Sequence, residues 1–396
     1  MRINVPLRLS GCCVQAKKQS HLKEEVTYKL DRIADIWNHF IWEYDFCKRK
    51  IKFTPEVRTN YFGDILSYFQ DTFDIIFEDR ESKSHSDRFS NQISLLQSIY
   101  VQQDFIEELL IIFKCGIDKG DLKKNLNYSI NRDIRNELVG HPIRKHKGEF
   151  ISSCLFGYNG GQDKVVYLRY HKDNNYKFES MEFPVSEIIQ RHKDFLNKYF
   201  DKILNKLKLI LFDFSREIEN IESLIDKKSF DEILAISKVF YESIFDYDFV
   251  YDKESLQKIY AKKDEHRRYQ NLIDKFYFDL KSSLKEKKEY ATELFEPRKE
   301  LKKTNIEIPI FDIEFVDATK IDSTEKERPV TYHYELGKIA TKRNPMDFEF
   351  FGGCLKRKCA DNELVLNELE HMESNMYNDI EYFSAYRLIC TELKEE

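Results

Sequence analysis

Apolar side chains recur at helical spacing along most of this chain. Between residues 21 and 48 they fall three or four positions apart, at Leu30, Ile33, Trp37 and Phe40. This spacing places them on one face of a helix, and such a face must be buried against another element. Helix breakers are scarce, since the 396 residues include only 12 glycines and 8 prolines. The pattern therefore favours packed amphipathic helices over a β-sandwich or barrel.

More helices are predicted before residue 148. Residues 55–79 and about 89–115 carry similar apolar patterns, and a charged, serine-rich connector, ESKSHSDRFS, separates them. A short element, DLKKNLNYSI, leads into NRDIRNELVGHP at residues 131–142. We therefore predict an antiparallel bundle of four or five helices that ends at about residue 147.

The pattern changes from helical to strand-like between residues 149 and 183. The runs EFISSCLFGY, KVVYLRYHK and YKFESMEFP are separated by NGGQ and DNN. Asn-Gly and Gly-Gly pairs favour the positive φ angles of tight hairpin turns. We therefore predict a three-stranded antiparallel β-meander at residues 149–184.

Four regions are predicted, because 396 residues exceed what one core usually holds. They are a helical domain at residues 1–148, the meander at 149–184, a helical region at 185–305 and a mixed, mostly helical region at 306–396. The predicted fold class is mainly α, with a small antiparallel meander between helical regions.

Three segments of the last region carry predictions of their own. IEIPIFDIEFVD at residues 306–317 is an edge-strand candidate, because Pro309 cannot donate to a central ladder. FFGGC at residues 350–354 is predicted to be a turn, and residues 362–395 are predicted to be helical.

The net charge of −6 gives the whole molecule no general attraction for nucleic acid. Any RNA binding must therefore come from a local basic patch. The eight cysteines form no repeating framework, and the sequence shows no secretory signal and no apolar run of bilayer length. We expect reduced thiols, no membrane segment and a cytoplasmic location.

One short segment combines basic, amide and imidazole side chains. In NRDIRNELVGHP, Arg135 is followed directly by Asn136 and, six positions after the arginine, by His141. On an unbroken α-helix, residues six apart point about 120° away from each other. Gly140 favours a helix end, and Pro142 biases His141 away from helical backbone angles. We predict a turn that re-aims the imidazole and permits a site shared with Arg135.

The segment resembles the signature of the HEPN family of helical-bundle ribonucleases, an arginine with a histidine four to six positions later. The resemblance covers about residues 20–147, one third of the chain. It implies a HEPN-like antiparallel bundle and a metal-independent endoribonuclease without a cofactor. It also implies a dimer with a composite cleft and a 2′,3′-cyclic phosphate product. Where HEPN toxins with nucleotidyltransferase antitoxins carry a modified tyrosine, this chain has Ile143.

The residues themselves suit RNA cleavage by the 2′-hydroxyl. Imidazole side chains titrate near neutrality, so His141 can take or give a proton. A guanidinium stays charged and its fork matches a phosphate, so Arg135 can stabilise charge on the phosphorane oxygens. Asn136 can donate a hydrogen bond to the same phosphate, which makes these three the candidate catalytic residues.

A compact basic run follows the histidine and can position an RNA backbone. Together with one upstream arginine, the candidate substrate-binding residues are Arg132, Arg144, Lys145, His146 and Lys147. Asp133 is a candidate for orienting Arg135. The segment offers no carboxylate cluster for a metal, so we expect no metal ligands.

Other histidines receive a different interpretation. Two further arginine–histidine pairs of comparable spacing are interpreted as coincidence, Arg80 with His85 and Arg328 with His333. His192 is interpreted as a solvated residue on a charged helical face.

We predict an endoribonuclease with RNA as its partner, acting as a homodimer in defence or growth arrest. Residues 185–396, or an antitoxin-type protein partner, would regulate it. A non-catalytic HEPN-like interaction scaffold is the first alternative, which the acidic net charge favours. A purely structural interpretation of the motif is also open, in which Arg135 belongs to a surface ion-pair set with Asp133 and Glu137. A module that senses RNA or a ligand within a larger complex is the second alternative.

Overall fold

The computed structural model describes residues 10–78, 82–155, 161–244, 253–295, 331–341 and 343–394. These residues are mainly α-helical, with one four-stranded antiparallel sheet. The predicted fold class, mainly α with a small meander, is confirmed. The chain divides into two compact units, residues 1–214 and 215–396. The four regions given by the sequence stay a prediction.

Helices of the first unit follow from the apolar periodicity. The α-helices with residues in this unit are α1 (Ser10–Ile36), α2 (Asp45–Lys48), α3 (Phe62–Phe77), α4 (His85–Ile112), α5 (Leu126–Arg135) and α6 (Val185–Ile225). A π-helical turn, Trp37–Ile41, continues α1 before a break at residues 42–44. The stripe formed by Leu30, Ile33, Trp37 and Phe40 is buried, with no member more than 6% exposed. This confirms the face predicted from their spacing.

Aromatic rings fill much of the first unit's core. Trp37 stacks on Phe62 with ring centroids 3.7 Å apart, and Phe113 meets both rings edge-on. Near the end of the unit, Phe214 packs edge-on against Phe40, with centroids 5.4 Å apart. Such rings bury large apolar areas, so they supply a major part of the packing free energy.

Helix α4 begins inside the segment predicted to be a connector. The Ser84 hydroxyl accepts a hydrogen bond from the backbone N–H of Asp87, and the Asp87 carboxylate accepts one from the Ser84 N–H. This reciprocal capping box satisfies N–H groups that a helix start leaves unpaired. The prediction of a connector is therefore wrong for residues 85–90.

The sheet has four strands in sequence order, each antiparallel to the next. They are β1 (Ile143–His146), β2 (Glu149–Leu155), β3 (Lys164–His171) and β4 (Lys177–Pro184). The predicted three-stranded meander therefore gains a strand, β1, formed by the basic run. Lys147 and Gly148 link β1 to β2 with φ of 51° and 85°, and positive φ at both positions is typical of the tightest hairpin turn.

One face of the sheet is buried within the first unit. Ile151, Val165 and Tyr167 are 7%, 0% and 1% exposed, and alternation along the strands puts them on the same face. Gln92 of α4 donates a hydrogen bond to the Lys164 carbonyl at 2.9 Å. The sheet therefore has a buried face, and the start of β3 is bonded to helix α4.

His192 of α6 is fully buried, so its interpretation as a solvated residue is wrong. Its Nε2 lies 2.7 Å from Oε1 of Gln102, and Gln102 in turn donates to the Thr72 hydroxyl at 2.7 Å. Burial lowers the pKa of His192 to about 3. The amide partner lies 90 residues earlier in the chain, out of reach of a local pattern.

The regular elements of the second unit, among the residues that the structure describes, are all helices. Its further helices are α7 (Phe230–Ile244), α8 (Lys253–Ala261), α9 (Arg267–Phe295), α10 (His333–Thr341), α11 (Pro345–Lys358), α12 (Glu363–Ser374) and α13 (Asp379–Leu393). The last two helices confirm the prediction for residues 362–395. The edge-strand candidate at 306–317 lies outside the described residues.

The turn predicted at FFGGC is wrong, because α11 runs through it. A Cβ atom on Gly352 would lie 3.0 Å from the Phe348 ring. Glycine therefore serves here to let a buried ring pack close to the helix backbone. The same residue type that marks turns in sequence can also mark close packing.

A buried charged network joins three helices of the second unit. Arg268 of α9 donates from Nε and Nη2 to the two carboxylate oxygens of Glu368 in α12, at 2.8 and 3.0 Å. Its Nη1 lies 2.7 Å from Nε2 of His371, which lies 3.0 Å from a carboxylate oxygen of Glu381 in α13. Glu368 is 2% exposed, so this pairing replaces solvation for both charges.

Candidate functional site

A wide helical turn lies between the two residues of the arginine–histidine motif. Helix α5 begins at Leu126, and the side chain of the preceding Asn125 accepts hydrogen bonds from its first N–H groups. After Arg135 the helix widens into a π-helical turn, Asn136–Gly140, in which the His141 N–H donates to the Asn136 carbonyl at 2.7 Å. His141 itself leaves the helix with φ −143° and ψ 64°. The predicted helix end at Gly140 is confirmed, although the π turn before it was not foreseen.

The Arg135 guanidinium is held by side chains of α4. Nε and Nη2 donate to Oε1 of Gln97 at 3.1 and 3.0 Å, and Nη1 donates to Oδ1 of Asn136 at 3.2 Å. The guanidinium carbon lies 3.9 Å from the centre of the Tyr100 ring. Two hydrogen bonds to one amide oxygen and a stacked ring fix the plane of the group.

The guanidinium also lies against the backbone next to His141. A Cβ atom on Gly140 would come within 2.6 Å of Nη1 of Arg135. In an i→i+5 turn, residue 140 lies over residue 135, so the wide turn brings the arginine back to the end of the helix. Only a residue without a side chain leaves this space open.

The His141 imidazole is exposed and free to meet another molecule. Within the described part of the chain, the ring forms no hydrogen bond and no ion pair. The structure thus brings together Arg135, Asn136 and the backbone of Gly140, with the imidazole one residue further on. It does not place the imidazole in hydrogen-bonding contact with the guanidinium.

Arg132, a candidate for substrate binding, is engaged by protein groups. Its Nη1 lies 2.7 Å from a carboxylate oxygen of Asp104, and its guanidinium carbon is 3.9 Å from the centre of the Tyr100 ring. Arg132 and Arg135 therefore share one aromatic ring. Asp104 satisfies the charge of Arg132, which leaves this residue less available to a phosphate.

Asp133 forms no hydrogen bond or ion pair with Arg135 in the part of the chain that the structure describes. Burial raises the pKa of the Asp133 carboxyl, and the charge of Glu137 raises it further. Gln97, Asn136 and Tyr100 are the residues that contact the guanidinium of Arg135. The orienting role of Asp133 stays a prediction with no contact to support it.

Glu137 links the π turn to the sheet. Its carboxylate accepts hydrogen bonds of 2.6 Å from Arg144 of β1 and from the phenol of Tyr167 in β3, and Arg169 lies 3.9 Å away. Burial first, and then the bond to Glu137, raise the pKa of Tyr167. Arg144, predicted to bind substrate, is thus paired with the Glu137 carboxylate.

Lys145 and Lys147 are the exposed cations of the basic run. Neither forms an ion pair with a residue that the structure describes. The side chain of His146, the remaining candidate in this run, lies outside the description. Of the predicted substrate-binding residues, Lys145 and Lys147 therefore keep an unshared charge.

Sequence reasoning missed four residues of this site. They are Gln97, Tyr100, Glu137 and Tyr167. The available signal is the run Gln97, Tyr100 and Asp104, whose spacing puts three polar or aromatic side chains on one face of a largely apolar helix. Their partners on α5 follow only from the packing of the two helices.

In the described residues, no group of three or more His, Cys, Asp or Glu side chains is arranged to hold a metal ion. Within the same residues, the structure contains no helix both long and apolar enough to cross a membrane. Comparison of the chain with family models, curated proteins and solved structures gives no match.

Proposed function

We propose that the chain is a metal-independent endoribonuclease in which Arg135 binds the scissile phosphate and His141 moves a proton. The observation that carries the proposal is the position of Arg135, whose guanidinium is held by Gln97, Asn136 and Tyr100 and lies against Gly140, the residue before the exposed His141. A positively charged group that is already oriented binds developing negative charge without reorganising during the reaction.

Arg135 keeps donors for a ligand. A guanidinium has five N–H donors. Nε, Nη1 and Nη2 each donate one hydrogen bond to Gln97 or Asn136, so one N–H remains on each terminal nitrogen within the described contacts. Two terminal N–H groups suit the oxygens of one phosphate.

The reaction conserves all atoms of the RNA. His141, as the neutral imidazole, accepts the proton of the 2′-hydroxyl while the oxygen attacks phosphorus. A bond forms between the 2′-oxygen and phosphorus, the bond from phosphorus to the 5′-oxygen breaks, and the leaving oxygen takes a proton. In a homodimer, His141 of a second copy would supply this proton. The products are a 2′,3′-cyclic phosphate and a 5′-hydroxyl.

Incubation of the purified chain with labelled RNA in EDTA tests the proposal. We expect cleavage that persists in the chelator and leaves a 2′,3′-cyclic phosphate end. A matched RNA with 2′-deoxyribose at the cleaved position should resist, because it lacks the attacking oxygen. Products with a 5′-phosphate, or cleavage of the deoxy substrate at the same rate, would contradict the proposal.

The Gly140→Ala substitution tests whether the position of the Arg135 guanidinium affects the cleavage rate without a large change in the stability of the fold. The new Cβ must displace Nη1 of Arg135, so we expect the cleavage rate to fall by about 10- to 100-fold, a typical cost of a small misplacement. The free energy of unfolding should change by less than about 1 kcal/mol, since alanine suits a helix better than glycine. The rate comes from labelled RNA and the stability from urea denaturation.

Gly337→Ala is the matched control for this substitution. Gly337 lies in α10, and a Cβ atom there would have nothing within 4 Å. This variant should cleave RNA at the unchanged rate. An unchanged rate in Gly140→Ala as well would show that the position of Arg135 has no part in catalysis.

A non-catalytic interaction module is the second candidate. Its support is the occupation of the arginines by protein groups, Arg132 by Asp104, Arg135 by Gln97 and Arg144 by Glu137. In that case these residues would only hold α5 and β1 in place. A role in defence or growth arrest, restrained by the second unit or by an antitoxin-type protein, belongs to the ribonuclease proposal alone.

A further inference from the structure

Four aromatic residues gather on the outer face of the sheet, opposite its buried face. We call Phe150, Tyr170, Tyr176 and Phe178 the aromatic face. The register aligns Tyr170 of β3 with Phe178 of β4 across the ladder, and Phe150 lies on β2, diagonal to Tyr170. The rings of Tyr176 and Phe178 lie 5.7 and 5.6 Å from the Tyr170 ring.

The aromatic face is open to solvent. Phe150, Tyr176 and Phe178 are 43%, 50% and 62% exposed. Cross-strand ring pairs stabilise a sheet, but these rings leave about half of their surface in water. Packing within the sheet therefore does not account for their position.

The backbone at Tyr176 adds a second observation. Asn175 and Tyr176 have φ of 54° and 56°, in the left-handed region. Asparagine tolerates this region, but a bulky residue such as tyrosine occupies it only at a cost in free energy. The turn nevertheless holds the tyrosine ring against Tyr170.

The charge around the aromatic face is positive, unlike that of the whole chain. Residues 143–184 contain seven Lys and Arg against five Asp and Glu, a net charge of +2, whereas the chain carries −6. The sheet's glutamates are paired, Glu149 with Lys172, Glu179 with Arg169 and Glu182 with Lys164. The cations left without such a partner include two beside the aromatic face.

Those two cations lie at the β1–β2 edge. Lys145 stands directly opposite Phe150 in the register, on the same side of the sheet, and Lys147 lies in the adjoining turn. Both are exposed. The surface thus combines flat rings with flexible cations at its margin.

We propose that the aromatic face binds single-stranded RNA, with unpaired bases stacked on its rings and phosphates beside Lys145 and Lys147. Every base has a flat π-surface, so stacking tolerates any sequence, while the bases of a duplex are already stacked and hidden. Charge complementarity favours a polyanion as the occupant of this face. β1 starts two residues after His141, so a bound strand would run towards the proposed site. The inference rests on the proposed function in taking this RNA to be the substrate.

Binding can be measured without cleavage in a His141→Ala background. The probe is a labelled single-stranded RNA of about 12 nucleotides and mixed sequence, within the range that stacking proteins cover. Fluorescence anisotropy should give a Kd about tenfold weaker for Phe150→Leu and for Phe178→Leu, the usual cost of losing one stacked base. The same RNA annealed to its complement should bind more weakly than the single strand.

Phe278→Leu is the matched control. Phe278 of α9 is 64% exposed and lies near a lysine, but it belongs to the second unit. Its loss should leave the Kd unchanged.

The salt dependence of binding tests the contribution of Lys145. Lys145→Ala should reduce the magnitude of the negative slope of log K against log salt by about 0.7, the value for one phosphate contact on a single strand.

The outcomes separate this inference from the proposed function. In one outcome, RNA binding is weaker in Phe150→Leu and Phe178→Leu, while the wild-type chain does not cleave RNA. This outcome would support RNA binding by the aromatic face and contradict the proposed ribonuclease activity. If the wild-type chain cleaves RNA and both ring variants bind RNA with an unchanged Kd, the ribonuclease proposal is supported and RNA binding by the aromatic face is contradicted. Equal affinity for duplex RNA, or ring variants that lose only self-association in sedimentation, would also overturn the inference.

Discussion

His141→Ala is expected to lower the rate of RNA cleavage by about 10²- to 10⁴-fold, the usual contribution of a positioned general acid or base. The exposed ring makes no hydrogen bond within the described chain, so its loss should leave the fold intact. Arg135→Ala should cost about 10²- to 10³-fold, as the loss of one preorganised donor does. Single-turnover cleavage in EDTA measures both effects, and circular dichroism verifies the fold.

Two controls make this result specific. His333→Ala removes another exposed histidine that follows an arginine at similar spacing, and it should cleave at the wild-type rate. Arg135→Lys keeps the charge but loses the fork that grips Gln97, so its rate should fall between those of wild type and Arg135→Ala. A wild-type rate for His141→Ala would remove the general-base role.

Glu368→Ala is expected to lower the free energy of unfolding by about 3–5 kcal/mol, the cost of leaving one charge of a buried pair without its partner. Glu368 is 2% exposed and accepts two hydrogen bonds from Arg268, whose side chain is 10% exposed. Urea denaturation of the whole chain, with hydrogen exchange at α9 and α12 amides, reports the loss. The effect should appear in those helices first.

Glu370→Ala provides the matched control on the same helix. Glu370 is exposed, so its removal should change the unfolding free energy by less than about 0.5 kcal/mol. Combining Arg268→Met with Glu368→Leu should recover most of the lost stability, because both buried charges disappear together. A loss below about 1 kcal/mol in Glu368→Ala would show that Arg268 finds water or another partner.

The long helices could be predicted from sequence because their burial is periodic. Helices α1, α3, α4 and α6 each carry apolar residues at three- and four-residue spacing, and this local signal needs no knowledge of partners. The three hairpin-forming runs are equally local. The ends of helices are predicted less accurately than their centres. The capping box at Ser84 starts α4 about four residues before the predicted start at residue 89.

Strand β1 could not be predicted because its sequence lacks the alternation of apolar and polar residues that marks a strand. IRKH has a single apolar residue, Ile143, and that residue faces solvent at 67% exposed. Arg144 and Lys145 point to opposite faces, one towards Glu137 and the other outwards. The strand forms because β2 offers it an edge and Glu137 offers one of its charges a partner.

The sequence named three residues of the candidate site, Arg135, Asn136 and His141, but not the side chains from other elements that surround them. The spacing of Arg135 and His141 is visible in the sequence, but Gln97, which orients the arginine, lies 38 residues earlier. The same limit applies to His192, whose buried ring is paired with Gln102, 90 residues earlier. Contacts between distant helices are set by packing geometry, which a single sequence does not display.

Because of the π turn at Asn136–Gly140, the position of His141 relative to Arg135 depends on how many residues the turn contains. The identity of those residues matters less. Loss of one residue from this turn would restore ordinary α-helical bonding and swing all that follows by about 100°. Leu138 and Val139 are half-buried, so we expect replacement by apolar side chains of similar size to have a small effect. A single-codon deletion there would be far harsher than most missense changes, because β1 remains registered to β2 and cannot follow the swing.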